Sequence, residues 1–356
     1  MKSYITNSGY CYKEYESGKK KRISQDEYDK INKTNIMYGG GISLKLFDDI
    51  VKLCISLNYS NWNLNKKIIN NKNNKYLSEG TYGVVALLKN NRYVSKTYKK
   101  LEDKKEELLI YQAIVNLLQY SNVIYNIVPL FEKKQSEYNN KLISPTCDGN
   151  LASNIILKLP DCIKYKIILK VLYIISTVIV QTNGFLVYTD LKSANCLYIS
   201  NNNTLRIIIG DIGGFNGKIS TYSSKSFYAG KIPDKYKIFE FLWALFILAI
   251  DLFDGYNYKQ NKYVYKTNNT NKKLNVNEAY KKLFKNRCYF LLDYIYNLII
   301  SYNHEYTVND INKLLNLIPD EIRKDNNINI NINIANIQPI YKNNKFNNRF
   351  NNKVVV

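Results

Sequence analysis

Four short segments carry side chains whose types and spacing suit charge-handling chemistry. Ser78-Glu79-Gly80-Thr81-Tyr82-Gly83-Val84-Val85 sets two glycines between strand-like residues. Without a Cβ, such glycines let backbone N–H groups approach an anion closely. Lys96 follows thirteen residues after Gly83, among the strand formers Val94-Ser95-Lys96-Thr97. Strand alternation that turns it inward buries an ammonium, which then needs a carboxylate; Glu107, or else Glu106, on the next helix can supply one. In Val187-Tyr188-Thr189-Asp190-Leu191-Lys192-Ser193-Ala194-Asn195-Cys196-Leu197, Asp190 can orient a hydroxyl and accept its proton. Lys192 can neutralise a transferring phosphoryl group, and Asn195, five residues after Asp190, can hold a metal through its carbonyl oxygen. In Ile207-Ile208-Ile209-Gly210-Asp211-Ile212-Gly213-Gly214, a carboxylate ends an apolar run and glycines follow, which suits a hard divalent cation such as Mg²⁺. Each segment alone also reads as ordinary structure: a hairpin turn, a surface lysine, a polar loop, a strand end. Their joint order argues for chemistry.

The surrounding pattern has to position them. Tyr10–Tyr15 reads as a strand, Gly18 as a turn, and Ser24 with Glu27 as the capping box of a helix. Gly39-Gly40-Gly41 is a break, Leu44 to Leu57 a short amphipathic helix, and Asn58 to Asn74 a polar loop. Strands are expected at 84–88, 93–98, 124–131 and 142–144, with a helix over 102–119. Beyond 150 the pattern is helical: 162–181 and 238–253 are apolar on all sides, as buried helices are, and helices are expected near 277–300 and 307–318. Residues 256–273 read as a polar loop. The Asn-rich stretch from Arg323 to Val356 has few large apolar groups and reads as disordered. A strand-rich unit followed by a larger helical one predicts a cleft between two lobes.

Composition narrows the function classes. The chain has 356 residues, 46% apolar and 22% charged, which is a globular composition. Its longest clean apolar run, Phe241 to Ile250, is too short to span a bilayer, and the first residues hold no apolar signal core. Six scattered cysteines without a CxxC pair read as reduced, in a cytoplasmic setting. With one histidine, His304, a Cys/His zinc site or a His-based nucleophile is disfavoured. The net charge of +22 is spread over all parts of the chain, and the abundant Asn, Lys, Ile and Tyr have AT-rich codons. A dedicated nucleic-acid face is therefore not expected.

The four segments have the order and spacing of a protein kinase, and the chain resembles the eukaryotic-type Ser/Thr protein kinase superfamily over roughly residues 75–318. EGTYGVV at 79–85 is similar to the phosphate-covering loop of cyclin-dependent kinases, YTDLKSAN at 188–195 to the catalytic loop, and DIG at 211–213 to the metal-binding DFG motif. The Asn/Lys/Ile/Tyr-heavy composition also resembles kinases of large AT-rich DNA viruses. The resemblance implies an α+β bilobal protein-kinase-like fold with a small β-rich N-lobe (75–147) and a larger α-helical C-lobe (148–318). Residues 1–74 would be an N-terminal extension and 319–356 an Asn-rich tail. It implies ATP and Mg²⁺ as cofactors and transfer of the γ-phosphate to Ser/Thr hydroxyls of a protein substrate. It also implies a monomer, in the cytoplasm, or in host cytoplasm or virion if viral. Ser78, Gly80, Thr81, Gly83 and Val85 would cover the nucleotide, and Lys96 would pair with its phosphates and with Glu107. Asp190 and Lys192 would be catalytic, and Asn195 and Asp211 would hold Mg²⁺. Ile143 to Gly149 would be the adenine-receiving hinge, Phe215 to Pro233 the activation segment, Ile238 to Phe253 the central helix of the large lobe, and Thr307 to Ile311 the start of the last helix.

The departures from the family are specific. Ser78 replaces the first glycine, Ile212 the Phe of DFG, and Tyr188-Thr189 the His-Arg before the catalytic Asp. Pro233-Asp234 stands where the family has Pro-Glu, and eleven residues separate Lys96 from Glu107, fewer than usual. Without that Arg, a phosphorylated segment has no anchor beside Asp190. Activity is therefore expected to survive joint replacement of Thr221, Ser223, Ser224 and Ser226 by Ala. The same departures favour the alternative of a pseudokinase scaffold, which binds nucleotide or partner without transfer.

Overall fold

A computed structural model describes residues 2–5, 11–14, 20–23, 42–56, 75–79, 83–88, 92–132, 140–201, 203–218, 224, 236–254, 264–266, 272–301 and 305–330. Several sequence expectations fall outside them: the capping box at Ser24–Glu27, the glycine run at 39–41, the loop 58–74, Pro233-Asp234 and the tail 331–356. The fold is mixed α+β, with antiparallel sheets.

Strands β1 (Lys2–Ile5), β2 (Cys11–Glu14) and β3 (Lys20–Ile23) form one sheet, in that order. Helix α1 (Leu44–Ser56) follows and buries Phe47, Ile50, Val51 and Cys54, a 3–4 spacing that makes one apolar stripe. The next sheet has the order β4 (Lys75–Glu79), β5 (Gly83–Leu87), β6 (Tyr93–Tyr98), β7 (Lys141–Pro145), each pair antiparallel. Between β6 and β7 lies α2 (Leu101–Leu118), which turns Glu107, Ile110, Tyr111, Ile114, Val115 and Leu118 inward.

After α2 the expected strand at 124–131 is absent. Ser121 caps a 3₁₀ turn, Asn122–Asn126, by accepting from Val123 N–H, and Pro129 cannot donate to a ladder. Only single bridges remain, Ile127 to Ile209 and Phe131 to Ile143.

The helical part begins with α3 (Asn154–Leu157) and α4 (Asp161–Gln181), after the short strand β8 (Gly149–Asn150). Strands β9 (Cys196–Asn201) and β10 (Thr204–Ile209) make a hairpin, with β8 on the free edge of β9 and residues Asn327–Asn329 on that of β10. Helix α5 (Lys237–Asp254) is buried along nearly its whole length, from Ile238 to Leu252, as its unbroken hydrophobicity requires. Strands β11 (Val264–Lys266) and β12 (Lys272–Leu274) pair, the first inside the expected loop 256–273 and the second across its end.

The expected helix 277–300 is two helices, α6 (Val276–Leu283) and α7 (Phe290–Ile300). Asn286 (φ 69°) and Cys288 (φ 58°) lie in the left-handed region, which ends any right-handed helix. Helix α8 (Val308–Leu317) opens with a capping box between Thr307 and Asp310.

Disorder was expected from residue 323 onwards, yet 320–330 is built into the fold. Helix α9 (Asp320–Lys324) and strand β13 (Asn327–Asn329) lie there, and β13 pairs with β10. Ile322, Ile328 and Ile330 are buried, which is the apolar support that the composition conceals. Among the described residues no helix is long and apolar enough to cross a membrane, and Cys54, Cys147, Cys162, Cys196 and Cys288 form no disulfide.

Candidate functional site

Lys96 lies on β6 opposite Val85. Its ammonium is 2.7 Å from Glu107 Oε2 and 2.6 Å from Asp211 Oδ1. Burial works against the charged form, but the charges of Glu107 and Asp211 outweigh it and hold the ammonium above its ordinary range. Tyr98, two residues on and therefore on the same face of the strand, donates its hydroxyl to the same Glu107 oxygen at 2.6 Å. Burial first, and then the Glu107 charge, keep that phenol protonated.

Of the two candidate partners for Lys96, Glu107 makes the contact. Glu106 turns the other way: it accepts from Lys218 Nζ at 2.6 Å and from Asn216 Nδ2 at 3.3 Å. Adjacent residues on a helix point about 100° apart, so only one of two neighbouring carboxylates can face Lys96.

Asp211 follows β10 with φ 46°, in the left-handed region, just before the 3₁₀ turn Ile212–Phe215. That conformation costs a non-glycine residue roughly 1–2 kcal/mol. Gly214 comes next to a tight contact, since a Cβ there would lie 2.9 Å from the Tyr188 ring.

The loop after α4 brings Asp190, Lys192 and Asn195 together. Lys192 Nζ is 2.8 Å from Asp190 Oδ2, and Asn195 Nδ2 donates to Asp190 O at 2.9 Å and to Oδ2 at 3.1 Å. This loop is tied to the Asp211 strand end at several points. Gly210 N–H donates to Asn195 O at 2.8 Å, Tyr188 Oη donates to Gly210 O at 2.7 Å, and Thr189 N–H donates to Gly214 O at 3.1 Å. Thr189 Oγ1 donates to Lys218 O at 2.6 Å. Tyr188 is fully buried, edge-on to Phe215 with centroids 4.6 Å apart, and burial pushes its hydroxyl well up.

The phosphate-covering candidates are placed only in part. Gly80 and Thr81 lie outside the described residues. Ser78 pairs with Val85 across β4 and β5, beyond a register shift at Tyr76. Gly83 has a packing reason of its own: a Cβ would lie 2.2 Å from Thr97 O on β6.

Metal-binding capacity rests on oxygen. Asp211 uses Oδ1 for Lys96, and Asn195 uses its amide nitrogen for Asp190. Asp211 Oδ2 and Asn195 Oδ1 are hard donors of the kind Mg²⁺ takes. Among the described residues no three His, Cys, Asp or Glu side chains group as a metal site.

Tyr98 and Glu240 are parts of this arrangement that sequence reasoning did not assign, while it read Glu106 as a fallback partner for Lys96 and Tyr188-Thr189 as replacements of a family His-Arg. The strand period of two places Tyr98 beside Lys96, but nothing local marks Glu240. Glu240, on α5 and 2% exposed, accepts from Ser224 N–H at 3.1 and 3.0 Å and from Ser224 Oγ.

Past β7, Asp148 Oδ2 accepts Ser200 N–H at 2.8 Å and Ser200 Oγ at 2.9 Å. Burial nevertheless pushes its carboxyl from 3.8 up to about 6. A raised carboxyl contributes stability that is full below the unfolded value and is lost as pH rises through the folded one. Asp148→Asn keeps one oxygen for both donors and removes the charge. It is expected to stabilise the fold at pH 7 by on the order of 2 kcal/mol, a gain that disappears near pH 4. Thermal unfolding at the two pH values checks this.

Neither a scan against protein-family models nor a search of curated proteins finds a match for the chain.

Proposed function

We propose that the chain is an ATP- and Mg²⁺-dependent serine/threonine protein kinase. On this reading the β4–β7 sheet with α2 is the small lobe and the helices from α3 onwards are the large one. One observation carries it: Lys96 is clamped between Glu107 and Asp211, and the Asp190–Lys192–Asn195 loop is bonded to the same strand end through Gly210. Three carboxylates, an amide and two ammonium groups converge from four parts of the sequence.

Each side chain has a task. Asp190 accepts the proton of the substrate hydroxyl as its oxygen bonds the γ-phosphorus, and the bond from that phosphorus to ADP breaks. Lys96 and Lys192 offset negative charge on the phosphates. Asp211 and Asn195 would hold Mg²⁺, which when bound neutralises charge on the β- and γ-oxygens. Glu107 and Tyr98 fix the Lys96 ammonium.

The direct test is transfer from labelled ATP by the purified protein, to itself and to a panel of basic and acidic proteins. Sugars and lipids serve as controls. Binding of Mg-ATP with no transfer selects the pseudokinase reading, which the departures at Ser78, Tyr188-Thr189 and Ile212 favour.

The segment after Asp211 is held without phosphate. Thr189 and Glu106 both bond Lys218, and Glu240 bonds Ser224. Ser224 is fully buried and serves as an anchor, so it is left intact in the test of phosphate dependence. Joint replacement of Thr221, Ser223 and Ser226 by Ala is expected to leave activity nearly intact in phosphatase-treated protein; a large loss refutes it. Thr221, Ser223 and Ser226 lie outside the described residues.

A further inference from the structure

The N-terminal helix and the C-terminal strand meet on β10, and Arg206 joins them. Arg206 is 5% exposed. It pairs with Asp48 on α1, and its Nε donates to Asn327 Oδ1 on β13 at 2.9 Å. On α4, Lys170 is wholly buried and donates to the carbonyls of Ile322 at 3.0 Å and Asp325 at 2.7 Å. Asn126 Nδ2 donates to Ile207 O at 2.8 Å and to Asn326 O at 3.4 Å. Ile42 N–H reaches Thr146 O, just past β7, at 3.4 Å.

Residues 42–56 and 320–330 thus form one belt that grips the end of β7, the 3₁₀ turn after α2, helix α4 and strand β10. Two of these run directly into the candidate site. Helix α4 leads into the loop bearing Asp190, and β10 leads into Asp211. Burying two cations is a costly way to attach a terminal segment, because apolar side chains of similar size do so at least as well. What the cations add is geometry. A guanidinium fork fits only one placement of Asp48 and Asn327, and the Lys170 ammonium fits one path of the chain from 322 to 325.

We propose that Arg206 and Lys170 are positioning residues: by locking both terminal segments onto β10 and α4, they set where Asp211 and Asp190 stand. The catalytic consequence rests on the kinase reading; the belt itself does not.

The test uses full-length Arg206→Met, Lys170→Met and Asn327→Ala, the last removing one arm of the bridge where a buried-charge variant fails to fold. Amide hydrogen exchange at 207–209 and 328–330 is measured beside the Mg²⁺ concentration that half-saturates transfer. A Phe284→Leu variant serves as a destabilised control away from the belt. Exchange is expected to quicken about tenfold at both segments in the belt variants. Half-saturating Mg²⁺ is expected to rise several-fold, with KM for the protein acceptor unchanged, and Arg206→Lys to fall between. A Mg²⁺ dependence no different from that of the Phe284→Leu control overturns the positioning role. Should the wild-type protein transfer no phosphate, the kinase reading fails on its own, and exchange at 207–209 still decides the belt: unchanged rates there overturn it.

Discussion

Replacing Asp190 by alanine is expected to slow phosphoryl transfer by about 10²–10⁴-fold, the usual contribution of a positioned general base. ATP affinity should be largely unchanged, because no phosphate-facing cation is removed. Stability should also hold. The Lys192 side chain is 37% exposed and regains water when its partner goes, so no buried charge is stranded. Asn195 loses one bond to the carboxylate but keeps the one to the backbone of residue 190. A loss of rate without a loss of fold or of nucleotide binding is thus the signature of the assigned role. Full activity in this variant would show the assignment to be wrong.

Lys96→Met is expected to impair both fold and function. Its ammonium separates Glu107 from Asp211, and the Glu107 side chain is only 5% exposed. Removing the cation leaves a buried carboxylate whose remaining side-chain donor, among the described residues, is Tyr98, at a cost of roughly 3 kcal/mol. Turnover should fall to background, since nucleotide positioning and charge neutralisation are lost together. A second change separates the two effects. Adding Glu107→Gln removes the stranded charge, so the double variant should recover much of the thermal midpoint while transfer stays at background. A single Lys96→Met protein with wild-type stability would mean that the ion triad is unimportant to the fold. Recovered transfer in the double variant would mean that Lys96 is not a phosphate partner.

Much of this architecture is legible in residue order because burial leaves a periodic trace. The two all-apolar segments became α4 and α5 within a residue or two of their expected ends. The β5–β6 hairpin followed from strand formers around Asn90-Asn91. The break between α6 and α7 was not legible, because Asn286 and Cys288 adopt left-handed backbone without a glycine to announce it. At 326–330 the alternation of Asn and Ile reads as low complexity, yet the same alternation is a strand period, with Ile328 and Ile330 inward. In the candidate site, residue types at 96, 107, 190, 192, 195 and 211 carried the expectation. The choice between Glu106 and Glu107 needed helix phase. The Ser224–Glu240 and Arg206–Asp48 contacts join residues far apart in sequence, and no local pattern encodes them.

The Lys96–Asp211 contact bears on how a nucleotide would enter. The site brings its own counter-ion: the ammonium that the proposed function gives to phosphate rests 2.6 Å from the carboxylate that it gives to metal. On the proposed kinase reading, loading would be an exchange of ionic partners: Lys96 would turn to the phosphates, and Asp211, released from it, would help to hold Mg²⁺. Free phosphate or bare metal ion should each compete poorly there, since either alone must break that pair without replacing both halves.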